Sequence, residues 1–489
     1  MTEQNSEAPD LFDVLQITRD FGLVGEDDTV LTVILAMIRG QLVIMTGPSR
    51  SGKDAIVDAA ESAFNSRETV YKWPSDDSKT AAFYNRHEIN QYPVQRFPDL
   101  TSLPDHQESI LKAFGEGRDA DRVFTDISNE EGDEAETQVL EAPRTVIGFA
   151  ASDNEKLDLD DYPELRNRGL LLSPDATEEQ TDNVQDRKAR ERAGLVNQQV
   201  DPVEKVEIQQ YLTNIPVRKW DENPDYRFLN PAAIAVDEQE PIPSMFVEAR
   251  QDFDRLLEFF ETVALYHHED RMTVPHGGKE AMLVTPTDVW YAMKILGDKM
   301  VMSSLNLQDD DLAILELLKD TTAELSKSDI QQKLRSLGFN INDREVYRSL
   351  TSMREKGYIR EFQGSPNTYS VSDFGAAIDA EVGLDYESLV ERTSDVVYEI
   401  ISDDDAQEYV AQFCEGEGLH AVHPFKGYEV DITEDSSLSE QVEERTDKVA
   451  EILEDDPFAG GEEPESDGEA EVTDTASEGE PNQTLEGTL

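Results

Sequence analysis

Apolar positions recur at helical spacing through the first forty residues, and then the pattern changes. Asp27-Asp28-Thr29 can cap a helix whose apolar positions Val30, Leu31, Val33, Ile34, Ala36, Met37 and Ile38 cover most of its circumference, as in a helix buried on every side. The run Gln41-Leu42-Val43-Ile44-Met45-Thr46 is too short for a helix and reads as a buried strand. Ala55–Phe64 is helical again. Two later segments read as strands: Ala81–Asn85, running into His87-Glu88, and Arg144–Ala150. Asn129–Glu141 is acidic and reads as a loop between elements. Strands alternating with helical stretches predict an α/β fold on a parallel sheet.

Beyond residue 176 the pattern turns helical up to about 305, with amphipathic runs around Asp252–Tyr266 and Thr287–Leu296. Residues 308–375 read as a separate module. Asp311–Lys319 is an amphipathic helix, Ser326 caps a second that carries Ile330, Leu334 and Leu337, and Asn342 or Asp343 opens a third with Val346, Leu350 and Met353 inward. Tyr358–Phe362 and Thr368–Val371 then form a hairpin around Gly364-Ser365-Pro366-Asn367. Three helices and a hairpin predict a winged helix-turn-helix, whose third helix enters the DNA major groove. The chain thus divides into an α/β core over 1–175, a helical region over 176–305, the winged helix over 308–375, a helical extension of unassigned role over 376–455, and an acidic tail over 456–489 that reads as disordered.

Charge changes the setting. The chain carries 106 acidic against 43 basic side chains, a net charge of −63. The fourteen acids of residues 450–489, a stretch without Lys or Arg, leave −49 on the remainder. Such self-repulsion destabilises a compact state unless salt screens it, and at molar ionic strength the Debye length is only about 3 Å. The composition therefore points to a salt-filled halophile cytoplasm. A single cysteine, Cys414, excludes a disulfide framework or a Cys-rich zinc module. No signal-peptide pattern follows Met1, and Val30–Ile38 is too short to span a bilayer, so a cytoplasmic protein without membrane contact is expected. His267, His268 and His276 have no partners at metal spacing and read as surface residues.

The strongest chemical signal is Gly47-Pro48-Ser49-Arg50-Ser51-Gly52-Lys53 between strand and helix. Glycines there let backbone N–H groups converge on phosphate oxygens at a helix N-terminus, and Lys53 supplies the charge for the β/γ-phosphates. ATP with Mg²⁺ is the expected cofactor. Asp54 stands where Ser or Thr would bind Mg²⁺; a carboxylate can ligate the metal but adds negative charge beside the phosphates. Hydrolysis also needs an acid and a group near the γ-phosphate. Glu88, at the end of the second expected strand, is the candidate acid and second metal ligand. Ser152-Asp153-Asn154 after the 144–150 strand are candidates for the phosphate sensor, and Arg166 or Arg168 for an arginine acting on a neighbouring subunit.

The series Phe21–Asp27, the P-loop, Phe83–Glu88, Leu111–Gly117, Glu164–Arg168 and Asp175–Thr181 resembles the superfamily 3-like AAA+ ATPase modules of plasmid, virus and integrated-element primase–helicase proteins, over about residues 11–375. That resemblance implies a Walker B-type role for Glu88, a sensor at Asn154 or Ser152, an arginine finger at Arg168, and a homo-oligomeric ring on DNA. The zinc-finger primase module often fused to such proteins is not seen, so priming would come from a separate partner.

The 326–360 segment carries eight basic residues (Lys327, Lys333, Arg335, Arg344, Arg348, Arg354, Lys356 and Arg360) against four acids, an outlier in so acidic a chain. Arg344, Tyr347, Arg348 and Ser352 are placed to face the groove and Arg360 to touch phosphate. The leading expectation is a DNA-dependent ATPase, a replication helicase or initiator of a mobile element. The alternatives are a nucleotide-sensing transcription regulator without helicase activity and, because of Gly52-Lys53-Asp54, a P-loop kinase.

Overall fold

The computed structural model describes residues 8–435, apart from 126–134, 151–168, 216–226, 243–248, 377–383 and scattered positions that include Gln41 and Pro48. Helix α1 (Leu11–Phe21) stops at Gly22, whose φ of 115° lets the Leu23 N–H return to the Thr18 carbonyl at 3.1 Å. This is the usual glycine-dependent helix end. In α2 (Asp27–Arg39) every residue from Thr29 to Ile38 is buried.

A helix apolar on all faces needs a cover on both sides. One cover is a five-stranded sheet built from β1 (Leu42–Met45), β2 (Val70–Lys72), β3 (Val94–Asp99), β6 (Thr145–Phe149) and β7 (Gly169–Leu172), in the order β2-β3-β6-β1-β7. All its pairings are parallel, with Val43 opposite both Ile147 and Leu170. Between β3 and β6 lie α7 (Asp105–Gly115) and the antiparallel pair β4 (Ala120–Thr125) and β5 (Ala135–Leu140). Thr145 Oγ1 donates to the Ala36 carbonyl at 2.8 Å and ties α2 to the sheet.

The second cover comes from the helices Ala249–Tyr266 and Pro286–Ser304. Arg39 pairs with Glu261 and donates to the Glu258 carbonyl at 2.7 Å, while Lys299 Nζ reaches Asp28 at 2.5 Å. Val43, Ile34, Phe259 and Trp290 share one hydrophobic core. The expected boundary near 175 therefore does not separate two cores.

The C-terminal residues complete this body instead of extending it. The helices Tyr386–Ile400 and Asp403–Phe413 and the short strands His420–Val422 and Glu429–Asp431 return to it, and Leu389, Ala421 and Ile432 join the same core. Asp435 accepts from Trp290 Nε1 at 2.9 Å and pairs with Lys294 at 3.0 Å. The rest of the expected 376–455 extension and the 456–489 tail lie outside the described residues.

Residues 305–372 form a unit with its own core around Leu315, Ile330, Leu350 and Tyr358. It consists of the helices Asp309–Lys319, Lys327–Ser336 and Asp343–Glu355 and the strands Leu325–Ser326, Ile359–Phe362 and Thr368–Val371, the last strand pairing antiparallel with both others. Ser326 with Asp329 and Asn342 with Glu345 form capping boxes that set where the second and third helices begin.

Three local expectations fail. Ala81–Asn85 is no strand: α5 (Ala81–Tyr84) and α6 (Arg86–Ile89) follow α3 (Lys53–Ser62) and α4 (Ser66–Thr69) as short helices. Its inward residues Ala82, Phe83 and Ile89 follow a helical rather than an alternating spacing, and β2 and β3 take the sheet positions. The second half of the expected 129–141 loop is β5, whose Thr137 and Val139 lie opposite Val123 and Asp121. His267 is half-buried rather than superficial: it stacks on Tyr291 at 5.4 Å beside the pair of Arg271 with the buried Asp288. Among the described residues no helix is long and apolar enough to cross a membrane.

Candidate nucleotide site

β1 ends at Met45, the chain turns through 46–52, and α3 begins at Lys53. The turn depends on torsions that glycine adopts freely: φ is 129° at Gly47 and 103° at Gly52, with the non-glycine Arg50 also left-handed at 71°. At Gly52 a Cβ would meet nothing within 4 Å, so backbone conformation alone requires the glycine there. At Gly47 space counts too, because a Cβ would stand 3.2 Å from Ser51 Oγ and 3.3 Å from the Pro174 ring.

Ser49 and Arg50 are exposed on the loop, while Gly47 and Lys53 are buried. Ser51 Oγ is buried without a hydrogen-bond partner, a state that costs free energy unless something satisfies it. Lys53, itself buried, turns its ammonium back to the Gly47 carbonyl at 2.6 Å. A phosphate group fits both features, since it would accept from Ser51, from Lys53 and from the amides at the start of α3. Gly47, Ser49, Arg50, Ser51, Gly52, Lys53 and Asp54 are thus brought together; Pro48 lies outside the described residues.

Two segments some 150 residues apart in sequence meet beside the loop. Glu26 Oε1 accepts from the Asp175 N–H at 2.5 Å, and Gln180 Nε2 donates to the Val24 carbonyl at 2.5 Å. Ser173, just before Pro174, bonds Thr46 at 2.8 Å through their hydroxyls. Burial, with Asp28 adding repulsion, pushes the Glu26 carboxyl up to about 8. Nothing in the sequence distinguishes Glu26 from its acidic neighbours; only the fold buries it.

Asp54 is not isolated. On α3 the acids Asp54, Asp58 and Glu61 recur at i, i+4 and i+7, one helical face. Arg96 of β3 meets all three, at 2.7, 2.6 and 2.7 Å, and its guanidinium lies 4.9 Å from the Phe149 ring centre. Lys72 of β2 adds a second cation, 2.7 Å from Glu61. Burial alone would raise the Asp58 carboxyl, but Arg96 and Lys72 hold it below its ordinary value. That spaced acidic stripe is the signal that sequence reading passed over.

Glu88 does not reach the expected place. It is exposed on the one-turn helix α6, not at a strand end. The acid at the end of a parallel strand is Asp99, the last residue of β3 and opposite Phe149 of β6. It lies on the sheet edge that carries the P-loop, with only β6 between β3 and β1. Parallel sheets place their ligand sites at that edge. The apolar Phe97 shortly before it was the available clue. Asn154, Ser152, Arg166 and Arg168 lie outside the described residues.

No protein-family model matches the chain, and no curated protein matches it. Among solved structures, the chain is similar to a "putative ATPase" from Cytophaga hutchinsonii at 12% identity and a TM-score of 0.32, over 57% of this chain and 81% of that one. The parallel sheet and the glycine loop joining β1 to α3 give the strand–loop–helix passage that suits phosphate binding.

A second polar surface lies on the 305–372 unit. Along Asp343–Glu355 the residues Val346, Ser349, Leu350 and Met353 are buried, while Arg344, Tyr347 and Arg348 are exposed. Tyr347 is 59% exposed, with Lys327 5.9 Å from its ring centre. Ser352 is half-buried and Arg360, on the first hairpin strand, is exposed.

Proposed function

We propose that the chain is an ATP-binding, Mg²⁺-dependent ATPase that works on DNA. The observation that carries the nucleotide reading is the loop itself: glycine-dependent torsions, a buried and unsatisfied Ser51 hydroxyl, and a buried Lys53 at a helix start. Lys53 would hold the β/γ-phosphates and Ser51 with the loop amides the remaining oxygens. Asp54 would serve the metal. In place of Glu88 we assign Asp99 as the acid that positions water, because it ends the strand beside β6 at the loop's edge of the sheet.

The DNA part of the reading rests on the 305–372 unit. Helix, short strand, two helices and a hairpin support a winged helix-turn-helix, and the Arg344–Tyr347–Arg348 face of its third helix supports contact with the major groove. An exposed basic and aromatic face in a chain of net charge −63 favours a polyanion over an acidic protein partner. An AAA+-like helicase ring with Arg168 acting between subunits remains part of this proposal.

The test is ATP turnover by the full chain in molar KCl, with and without duplex and single-stranded DNA. We expect turnover that DNA stimulates and that Lys53→Ala abolishes. Nucleotide binding without turnover under any DNA condition would sink the helicase reading and leave a nucleotide-sensing regulator. Phosphate transfer to a small acceptor in place of water would instead establish a kinase.

A further inference from the structure

Arg96 takes no part in the proposed turnover, yet its position is unusual. Its side chain is only 10% exposed and meets three acids of α3, of which Glu61 is 5% exposed and Asp54 78%. Satisfying a buried Glu61 and a half-exposed Asp58 would suffice for a structural arginine. The second guanidinium nitrogen does something else: Nη2 reaches past them to Oδ1 of Asp54, at the mouth of the phosphate loop.

A carboxylate in that place has two consequences for a bound polyphosphate. It offers oxygen to a divalent cation, but it also repels the phosphates. A cation already bonded to one carboxylate oxygen removes the second effect and leaves the other oxygen available for the first. We propose that Arg96 is a positioning residue that makes Asp54 a charge-compensated metal ligand, so that Asp54 and Arg96 together do what one uncharged hydroxyl does elsewhere. The pair rests on the nucleotide reading of the loop and deepens it. Arg96 is prepared for this by its packing over Phe149 and by Asp58 and Glu61, which fix the guanidinium in place.

The test is titration of the full chain with a fluorescent ATP analogue in molar KCl, with Mg²⁺ and with EDTA. Arg96→Met leaves the Asp54 charge uncompensated, and affinity for the Mg²⁺ form should fall by about tenfold or more. Adding Asp54→Ser to Arg96→Met removes that charge and restores a hydroxyl, and affinity should return to within about threefold of the parent chain. A purely structural arginine predicts no such rescue, so a double variant as weak as the single one overturns the proposal. Should Arg96→Met fail to fold, the exposed Asp54 can still be replaced without disturbing the core. Asp54→Ala should lose most of the affinity gained on adding Mg²⁺, and an unchanged Mg²⁺ increment overturns the proposal. A parent chain that binds no analogue, or a Lys53→Ala chain that binds equally well, sinks the nucleotide reading itself and is thereby told apart.

Discussion

The Glu26 carboxyl accepts the backbone N–H of Asp175 at 2.5 Å, joining the entry to α2 to the turn after β7. Glu26 takes this place with a left-handed backbone, φ 61°, that a side-chain-bearing residue adopts only at a cost. Its burial raises the carboxyl from 4.5 to about 8. Between those values the folded chain holds a proton that the unfolded chain has released. The stabilisation is therefore complete below pH 4.5 and is lost as pH rises through about 8. Glu26→Gln keeps an acceptor oxygen and removes the titration. Thermal midpoints in molar KCl should show the variant gaining on the parent chain as pH rises from 5 to 9, by on the order of a few kcal/mol. Parallel pH profiles for the two proteins would refute the assignment.

Asp99 and Glu88 make opposite predictions. With Asp99 at the loop's edge of the sheet and Glu88 exposed on α6, Asp99→Asn should cut ATP turnover by about a hundredfold while nucleotide still binds. Glu88→Gln should stay within about twofold of the parent rate. Steady-state turnover alongside analogue binding measures both, and the reverse order would return the acid to Glu88.

Arg348 is exposed on the third helix of the 305–372 unit, one position from Tyr347. With both placed to face the groove, Arg348→Ala and Tyr347→Ala should each change the preference among sequences. Arg360→Ala, at the expected phosphate contact, should instead weaken DNA binding about equally across sequences and lower the slope of log K against log salt by about 0.9. Fluorescence anisotropy over a KCl series separates the two effects, and no effect from any of the three would move the unit toward protein contacts.

Asp435 closes the body formed by the N- and C-terminal parts, accepting from Trp290 and pairing with a Lys294 side chain that is 4% exposed. Asp435→Ala removes the acceptor of the buried Trp290 indole N–H and one carboxylate beside the buried Lys294. The expected loss is about 3 kcal/mol in denaturant unfolding. A change below about 0.5 kcal/mol would mean that the last described residues do not hold the core together.

Several features were legible along the chain because their physics is local. The strand–loop–helix passage at 42–62 needs only a short apolar run, glycines where φ is positive and a helical period, all within some twenty residues. The all-round apolar α2 and the helices and hairpin strands of 308–375 are readable for the same reason. The short apolar run at 81–85 was not, since periodicity cannot tell a buried helical turn from a strand over five residues.

What tertiary structure alone decided is which distant residues meet. The order β2-β3-β6-β1-β7 puts Asp99, not Glu88, at the loop's edge and brings Arg96 onto the acidic face of α3. The same packing buries Glu26 against Asp175 and returns residues 386–435 to the core that α2 began. Strand order and burial follow from how whole apolar faces are covered, a balance summed over the entire chain. No window of neighbouring residues carries that sum, whereas the positive φ of Gly47 and Gly52 can be read from the glycines themselves.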